Sequence, residues 1–572
     1  MIAFKKQLAE ILEKAVASSF EGASLTADEL CEMFEYPPDS TMGDVAFPCF
    51  KLSRTLRSAP PMIASKLAVA EFPEDLCTAT AQGPYLNFKI SNKYLTNLLC
   101  NEVLSKGENY GSFDFGKDKT VVLDYSSPNT SKPFHIGHLG TTVIGHCLKL
   151  LHEFAGYKCI GINHLGDWGT QNGKQIVAFK RWGNKEEVEE KGCDGLVELY
   201  VKFHEEAEKD PSLNDEARAE FKKMEDHDPE NIALWKWFLD ISLKEYNVTY
   251  GQLGITFDHY MGESFFSDKM DAQIQIMRDK NLLKLDDGAS IVDLSEYNMP
   301  PCLILKRDGA SLYPSRDISA AVYRKENFNF DKCIYVTSAG QSLHFAQWFK
   351  VMELMGYDWT DELVHVPYGT VSIGGEKLAT RTGNVVLLKH LFAQAIEKVS
   401  AVIDEKNPNL ENKEAVSEAV GVGAVVFHYL FNTRIKDISF VLEDALSFEG
   451  STGPYVQYTY ARTSSILEKA AAEGLNCTDC ITITADEEAD VIKVLSRFPE
   501  KVLAAIEDYE PSYIARYAIE VATAFNRFYH NCPILSADDE NVKNTRVLIT
   551  KAAGIVLKSA LRLICMKAPE KI

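Results

Sequence analysis

A chain of 572 residues with 46% hydrophobic and 25% charged residues is too long for one core and too apolar for wholesale disorder, so two to four globular domains are expected. The formal charge of -22 excludes a general nucleic-acid glue and confines any RNA surface to a local basic stripe. The 13 cysteines follow no framework spacing, and no apolar run nears the roughly 18 residues of a membrane span, so a cytoplasmic protein without a membrane segment is expected.

The first element is an amphipathic helix, with Phe4, Leu8, Ile11, Leu12 and Val16 on one face. Turn-rich stretches (YPPDSTMGD, QGPYLNF) follow within a first unit assigned to residues 1–115, and Lys106 to Lys119, rich in glycine and charge, reads as a linker. The style then changes. Val121 to Tyr125 is a short buried-strand run, followed by a Ser-Ser-Pro-Asn turn and an apolar-periodic helix from Ile136 through Phe154. Strand, polar loop and helix open a nucleotide-binding α/β sheet, assigned to residues 116–390. A helical insertion is expected around 182–300, densest in Glu, Lys and Asp between Trp182 and Trp237. Strand-like runs at Cys302 to Leu305, Cys333 to Val336 and Leu363 to Val366 supply the second half of the parallel sheet. Residues 391–572 read as almost wholly helical, with no convincing strands. The expected fold is α/β: a Rossmann-like parallel-sheet domain with an N-terminal α+β domain and a C-terminal all-α bundle.

Chemistry concentrates in two stretches. In SSPNTSKPFHIGHLG (126–140), His135 and His138 are three apart and share a helical face. Pro133 sits where prolines open helices, which places both imidazoles at a helix N-terminus whose unpaired N–H groups suit a phosphate. Gly137 lets a bulky ligand approach the backbone, and two ring donors could stabilise charge growing on an α-phosphate. Two half-buried surface histidines, or two metal ligands, fit the spacing equally well. Cys147, His146 and His152 lie on turns of the same helix, so a metal site is not expected. The second stretch, GGEKLATRTGNVV (374–386), is a glycine-bearing charged loop between strand-like runs. It reads as a mobile lid over phosphates with Lys377 and Arg381 as its charges, or as an ordinary surface loop. Cys477 and Cys480 form a lone CxxC and read as free cysteines.

Together the two stretches resemble the HIGH and KMSKS signatures of class I aminoacyl-tRNA synthetases. His135-Ile136-Gly137-His138 matches the first without change, and Lys377-Leu378-Ala379-Thr380-Arg381 is a degenerate second with Thr380 in place of its second lysine. NHLGDWGTQNG, FDHYMGES, RDGASLYPSRDISAA, GQSLHFAQW and DALSFEGSTGPYVQYTYAR narrow the resemblance to the arginyl-tRNA synthetase family over essentially the whole chain. That resemblance implies ATP-dependent joining of L-arginine to tRNA(Arg) through arginyl-adenylate, with Mg2+ on the ATP. It implies that Lys132 substitutes for the missing lysine, and that His135, Gly137, His138 and Lys377 bind ATP. By the same resemblance Asp317, Tyr313 and Gln341 grip the guanidinium, Asp124 lies beside the bound arginine, and Ser127 and Asn129 hold its backbone groups. A guanidinium, with five donors and no acceptor, requires such carboxylates. An acid in a first helical turn, as Asp317 would be after Pro314, can equally be there for the helix dipole.

The family's N-terminal domain contacts the corner of the tRNA, which assigns that role to GDVAF and GPYLNF. Tyr455 and Tyr458 are the expected anticodon-side contacts, while Tyr460, Phe525, Phe528 and Tyr529 at helical spacing read mostly as core. A monomer is expected. The competing readings are a neighbouring class I synthetase for cysteine or glutamate, a small nucleotidyltransferase with the same paired-histidine turn, and a catalytically dead RNA-binding relative.

Overall fold

The computed structural model describes residues 1–307, 312–373, 376–377, 386–475 and 481–572. The first helix, Ile2–Ser19, buries Phe4, Leu8, Leu12 and Val16, as its periodicity requires. It shares a core with a three-stranded antiparallel sheet of β1 (Val45–Pro48), β2 (Cys77–Gln82) and β3 (Tyr85–Ile90), in the order β1-β3-β2. This unit leans on the C-terminal helices through Lys5–Glu500 (3.1 Å) and a buried Asp44–Lys493 pair (2.9 Å). The segment expected as a linker is packed, not free. Tyr110 is buried and its hydroxyl donates to the Leu495 carbonyl at 3.1 Å.

The central sheet is parallel, in the order β11-β10-β4-β5-β6. Its members are β4 (Thr120–Asp124), β5 (Lys158–Asn163) and β6 (His259–Tyr260), then, after a separate antiparallel sheet of β7 (Leu283–Asp286), β8 (Ala289–Val292) and β9 (Cys302–Leu305), β10 (Lys332–Ser338) and β11 (Leu363–Tyr368). Val121, Val122 and Leu123 of β4 are fully buried because helices cover both faces. Val121 and Leu123 face the core shared with helix Ile136–Phe154, and Val122 faces the cluster around Trp348. Strand order reverses at β4, whose neighbours are β5 on one side and β10 on the other. In open α/β sheets such a switch point leaves a crevice outside the carboxyl ends of the strands.

Three sequence-based expectations need correction. Cys302 to Leu305 is β9, paired antiparallel with β8 and not part of the parallel sheet. A four-residue apolar run does not distinguish the two settings, although Leu303 points outward and is 43% exposed. The insertion begins earlier, with helices from Thr170–Trp182 to Pro229–Leu253, and β6 to β8 fall where helix was expected. The region after residue 391 also contains a strand. Beyond β11 the chain forms β12 (Val371–Ile373) and β13 (Glu376–Lys377), and β14 (Ile438–Phe440) pairs parallel with β12. Three residues between long helices give no periodic signal. The rest of the C-terminal region is a helical bundle that includes Gly453–Ala472, Ser512–Asn531 and Glu540–Leu563. Among the described residues no helix is long and apolar enough to cross a membrane.

Candidate active site

A cleft of about 1290 Å³ opens at the switch point, and all six residues expected around a bound arginine line it: Asp124, Ser127, Asn129, Tyr313, Asp317 and Gln341. They arrive from four places. Asp124 ends β4, opposite Tyr335 of β10. Ser127 and Asn129 sit on the loop after β4, Tyr313 and Asp317 occupy the first two turns of helix Tyr313–Phe328, and Gln341 caps helix Ser342–Met355.

The loop after β4 is held in a costly shape. Ser126, Ser127 and Ser131 all have left-handed backbones (φ 74°, 48° and 58°), at roughly 1–3 kcal/mol each for non-glycine residues. Its anchors come from helix Pro229–Leu253, where the Tyr246 hydroxyl donates to the Asn129 and Lys132 carbonyls (2.8 and 2.6 Å) and the Tyr250 hydroxyl meets Ser126 Oγ at 2.7 Å. Asn129 also packs so closely on Gly166 that a Cβ there would lie 2.2 Å from Asn129 Oδ1. The reading from sequence missed both tyrosines, because nothing local links them to a loop more than a hundred residues earlier.

Charges in the inner cleft are paired across large sequence separations. Arg324, fully buried, holds Asp124 Oδ2 at 2.7 Å, and Ser127 Oγ donates to Asp124 Oδ1 at 3.0 Å. Arg316 meets Glu263 at 2.6 Å. Burial pushes the Glu263 carboxyl up to about 7 even with Arg316 drawing it down, while Asp317 and Asp167 push it up further. Among the described residues Asp317 accepts no hydrogen bond from the backbone N–H groups at the start of its helix, the contact a dipole-only role would suggest. Its Oδ2 accepts from His344 Nε2 at 2.6 Å. Arg316, Arg324, Glu263 and His344 were absent from the sequence-based site. His344, Glu263 and Arg316 lie inside stretches that carried the resemblance, so position in a motif was the available signal for all but Arg324.

The two-histidine turn lies six residues further along the same chain segment and does not line the cleft, whose lining does not include His135, His138 or Lys132. It is tied to the loop through Thr142, whose hydroxyl bonds to Ser126 Oγ (2.9 Å) and to the His138 carbonyl (2.6 Å). Helix Ile136–Phe154 begins one residue after His135, which is its cap and not its first turn. Gly137 N–H donates to His135 Nδ1 (3.0 Å), and His135 N–H donates to His138 Nδ1 (3.2 Å). The two rings cap one helix reciprocally, with centroids 3.8 Å apart. Because each Nδ1 accepts, each ring carries its proton on Nε2. Burial, with Lys132 adding its charge, depresses His135 to about 4, and burial holds His138 well below its ordinary range. Both are therefore neutral donors near pH 7.

The open helix terminus inferred from sequence is not there. Ile136 N–H donates to Val386 O (3.2 Å), Gly137 N–H to the His135 ring, and His138 N–H to the His135 carbonyl (2.8 Å). An anion at this turn would meet ring N–H groups and Lys132, not the Gly137 backbone. His146 and His152, further along the helix, bond to Tyr125 Oη (3.1 Å) and the Leu148 carbonyl (2.7 Å). Among the described residues no group of His, Cys, Asp or Glu is placed to hold a metal.

The second motif touches the first at its far end. Phe134 and Ile136 bond to Leu388 and Val386, and His135 bridges Leu387. At its near end the Lys377 backbone lies in β13 against β12. Arg381, and Cys477 and Cys480, lie outside the described residues. In the bundle, Tyr458 is 44% exposed and Tyr455 half-buried, and Arg462 lies over the Tyr458 and Tyr529 rings at 5.1 and 4.9 Å. Tyr460, Phe525 and Phe528 are buried.

A parallel sheet with a cleft at its switch point, a two-histidine helix cap after the first strand of that sheet and a following helical bundle are the parts expected of a class I synthetase. Comparison with known proteins agrees. Residues 99–442 match the family model for the class I (R) tRNA synthetase catalytic domain, 456–572 the DALR anticodon binding domain, and 3–90 the arginyl tRNA synthetase N-terminal domain. The chain is 51% identical over 570 residues to an arginine–tRNA ligase of Alkaliphilus metalliredigens, covering 100% of both chains. It is 50% identical over 549 residues to one of Clostridioides difficile, covering 96% of this chain and 97% of that one. The fold matches the Thermus thermophilus arginyl-tRNA synthetase with a TM-score of 0.83 at 24% identity, over 99% of this chain and 100% of that one. It matches the Plasmodium falciparum enzyme at 0.81 and 23% identity, over 99% of each. The chain belongs to the arginyl-tRNA synthetase family.

Proposed function

We propose that this chain joins L-arginine to tRNA(Arg) in two steps within the switch-point cleft. The supporting observation is that six residues chosen for a guanidinium amino acid, from three separate segments of the chain, line one cleft. In the first step the arginine carboxylate attacks the α-phosphorus of ATP, forming arginyl-adenylate and releasing pyrophosphate. The site needs no covalent nucleophile, since positioning and charge stabilisation suffice for such displacements. Asp317, Tyr313 and Gln341 would hold the side chain, with Asp124 beside it and Ser127 and Asn129 at its backbone end. His135 and His138, as neutral Nε2–H donors, would bind ATP phosphates. Lys132, Lys377 and Arg381 would meet the departing pyrophosphate, whose charge Mg2+ bound to ATP also shares. In the second step the 2′-OH of the terminal adenosine attacks the adenylate and AMP leaves.

The tRNA would lie across the N-terminal unit (residues 1–115) and the C-terminal one (391–572), with Tyr455 and Tyr458 on the anticodon side and the catalytic part (116–390) between them. The protein acts as a monomer in the cytoplasm on this reading. Pyrophosphate exchange measured with each amino acid separately, with tRNA present, tests the proposal. Exchange is expected with arginine alone, and exchange with cysteine or glutamate would replace this reading by the neighbouring-synthetase one.

A further inference from the structure

Two arginines that line the cleft are committed to carboxylates, Arg324 to Asp124 and Arg316 to Glu263. The described partner of Asp317 is different in kind: an imidazole, His344 Nε2, at 2.6 Å. We infer that His344 is a positioning residue for arginine selection, holding the Asp317 carboxylate in place with a hydrogen bond and without the permanent countercharge of a lysine or arginine. This rests on the proposed function and adds to it how one acid of the cleft is reserved for the incoming cation.

The geometry favours such a division of labour. His344 stands in the first turn of helix Ser342–Met355, one turn after Gln341, and its ring packs edge-on against Phe345 (5.6 Å, 82°). Phe345 in turn stacks flat on His365 of β11 (4.2 Å, 2°), which is hydrogen-bonded to Thr337 (2.8 Å). The imidazole is thus wedged by a stack founded on the central sheet, and its Nε2 is aimed across the cleft at the next helix. Both side chains remain about a quarter exposed (25% for His344, 27% for Asp317), so Asp317 keeps lone pairs open to the cleft. Each carboxylate oxygen accepts two hydrogen bonds, and a guanidinium fork can take the remaining positions. A lysine or arginine in place of His344 would pair permanently with Asp317, as Arg324 does with Asp124, and the substrate would have to displace it.

Three substitutions separate this role from mere packing, read in arginine-dependent pyrophosphate exchange with tRNA present. His344→Gln keeps a side-chain N–H donor and should leave the KM for arginine within about 3-fold. His344→Phe keeps the volume without the donor and should raise that KM by about 10-fold or more, with kcat and the KM for ATP little changed. His344→Arg keeps a donor but spends the charge. It should raise the KM by about 100-fold and narrow the preference for arginine over citrulline, which has the same shape without the charge. Asp317→Asn is the control. If wild type shows no arginine-dependent exchange, or Asp317→Asn leaves the KM unchanged, the functional reading fails. If Asp317→Asn raises the KM while His344→Phe and His344→Arg match wild type, only the His344 inference is overturned. Should His344→Arg not fold, the Gln and Phe variants decide, since equal KM values for both contradict the inference.

Discussion

The cleft proposed for arginine and the histidine turn proposed for the ATP phosphates are built by opposite means. On the arginine side, full charges are held by side-chain pairs spanning 27 to 200 residues of sequence, such as Asp317–His344 and Asp124–Arg324. On the phosphate side, His135 and His138 are kept neutral by burial and oriented by backbone N–H groups within three residues of one another. A site for a cation needs carboxylates whose own countercharges are placed with care. A site for a polyanion needs donors that do not repel each other, and two neutral rings 3.8 Å apart meet that condition.

Breaking the arginine side should have the largest effect. Asp317→Ala is expected to lower kcat/KM for arginine by at least about 100-fold, because an unpaired guanidinium in a buried site costs roughly 3–5 kcal/mol. Near-wild-type exchange kinetics would remove Asp317 from the site. Arg324→Met should act on the fold as well, since it strands the largely buried Asp124 at a cost of about 3 kcal/mol, visible as a lower denaturant midpoint. An unchanged midpoint would mean that water already satisfies Asp124.

On the phosphate side the expected effects are smaller and of another kind. Lys132→Ala should slow adenylate formation by about 10- to 100-fold, because it removes a charge stabiliser of the reacting phosphates, with arginine affinity nearly unchanged. A loss confined to arginine binding would refute the idea that Lys132 compensates for Thr380. Gly140→Ala tests how the helix behind the histidines is seated. An added Cβ would lie 2.1 Å from the Tyr429 hydroxyl, and such overpacking costs about 1–3 kcal/mol. Equal thermal stability of the variant would show that Tyr429 yields freely.

The mildest test is pH. Burial lowers His135, His146, His152 and His365 to about 4, against about 6.5 in an unfolded chain. As pH falls below about 6.5 the unfolded state takes up these protons first, so stability present above that pH is lost progressively towards pH 4. Glu263, raised to about 7, works the other way, since its contribution falls as pH rises from about 4.5 to 7. Glu153, Asp167 and Glu245 are raised as well, and His138, His164, His204 and His428 are lowered as well. The lowered histidines outnumber the raised acids, and calorimetric melting temperatures should drop between pH 6.5 and 5. A flat or rising profile would contradict the neutral, buried state of these rings.

How much of this was legible in the sequence follows the same division. The histidine cap lies within a dozen residues, so motif spacing located it, although spacing did not reveal that the rings consume the helix N–H groups. The parallel strands β4 and β10 were readable because strands buried on both faces are apolar runs, and β11, at the sheet edge, was readable from the apolar residues that include its buried Leu363 and Val366. β9 looked the same and belongs elsewhere, because pairing partners are set by tertiary context. β6 and β14, with two and three residues, are too short to carry a period. In the pocket, the substrate-facing residues came from motif resemblance. Arg324, Tyr246 and Tyr250 hold those residues from distant helices, where a buried arginine or tyrosine looks like any other side chain on an amphipathic face.

The most direct test of the account is transfer of radiolabelled amino acids to bulk tRNA by wild type and Asp317→Ala in parallel. The prediction is ATP-dependent charging by wild type with arginine and no other amino acid, reduced at least about 100-fold in the variant. Charging with a different amino acid, or equal arginine transfer by both proteins, would contradict it.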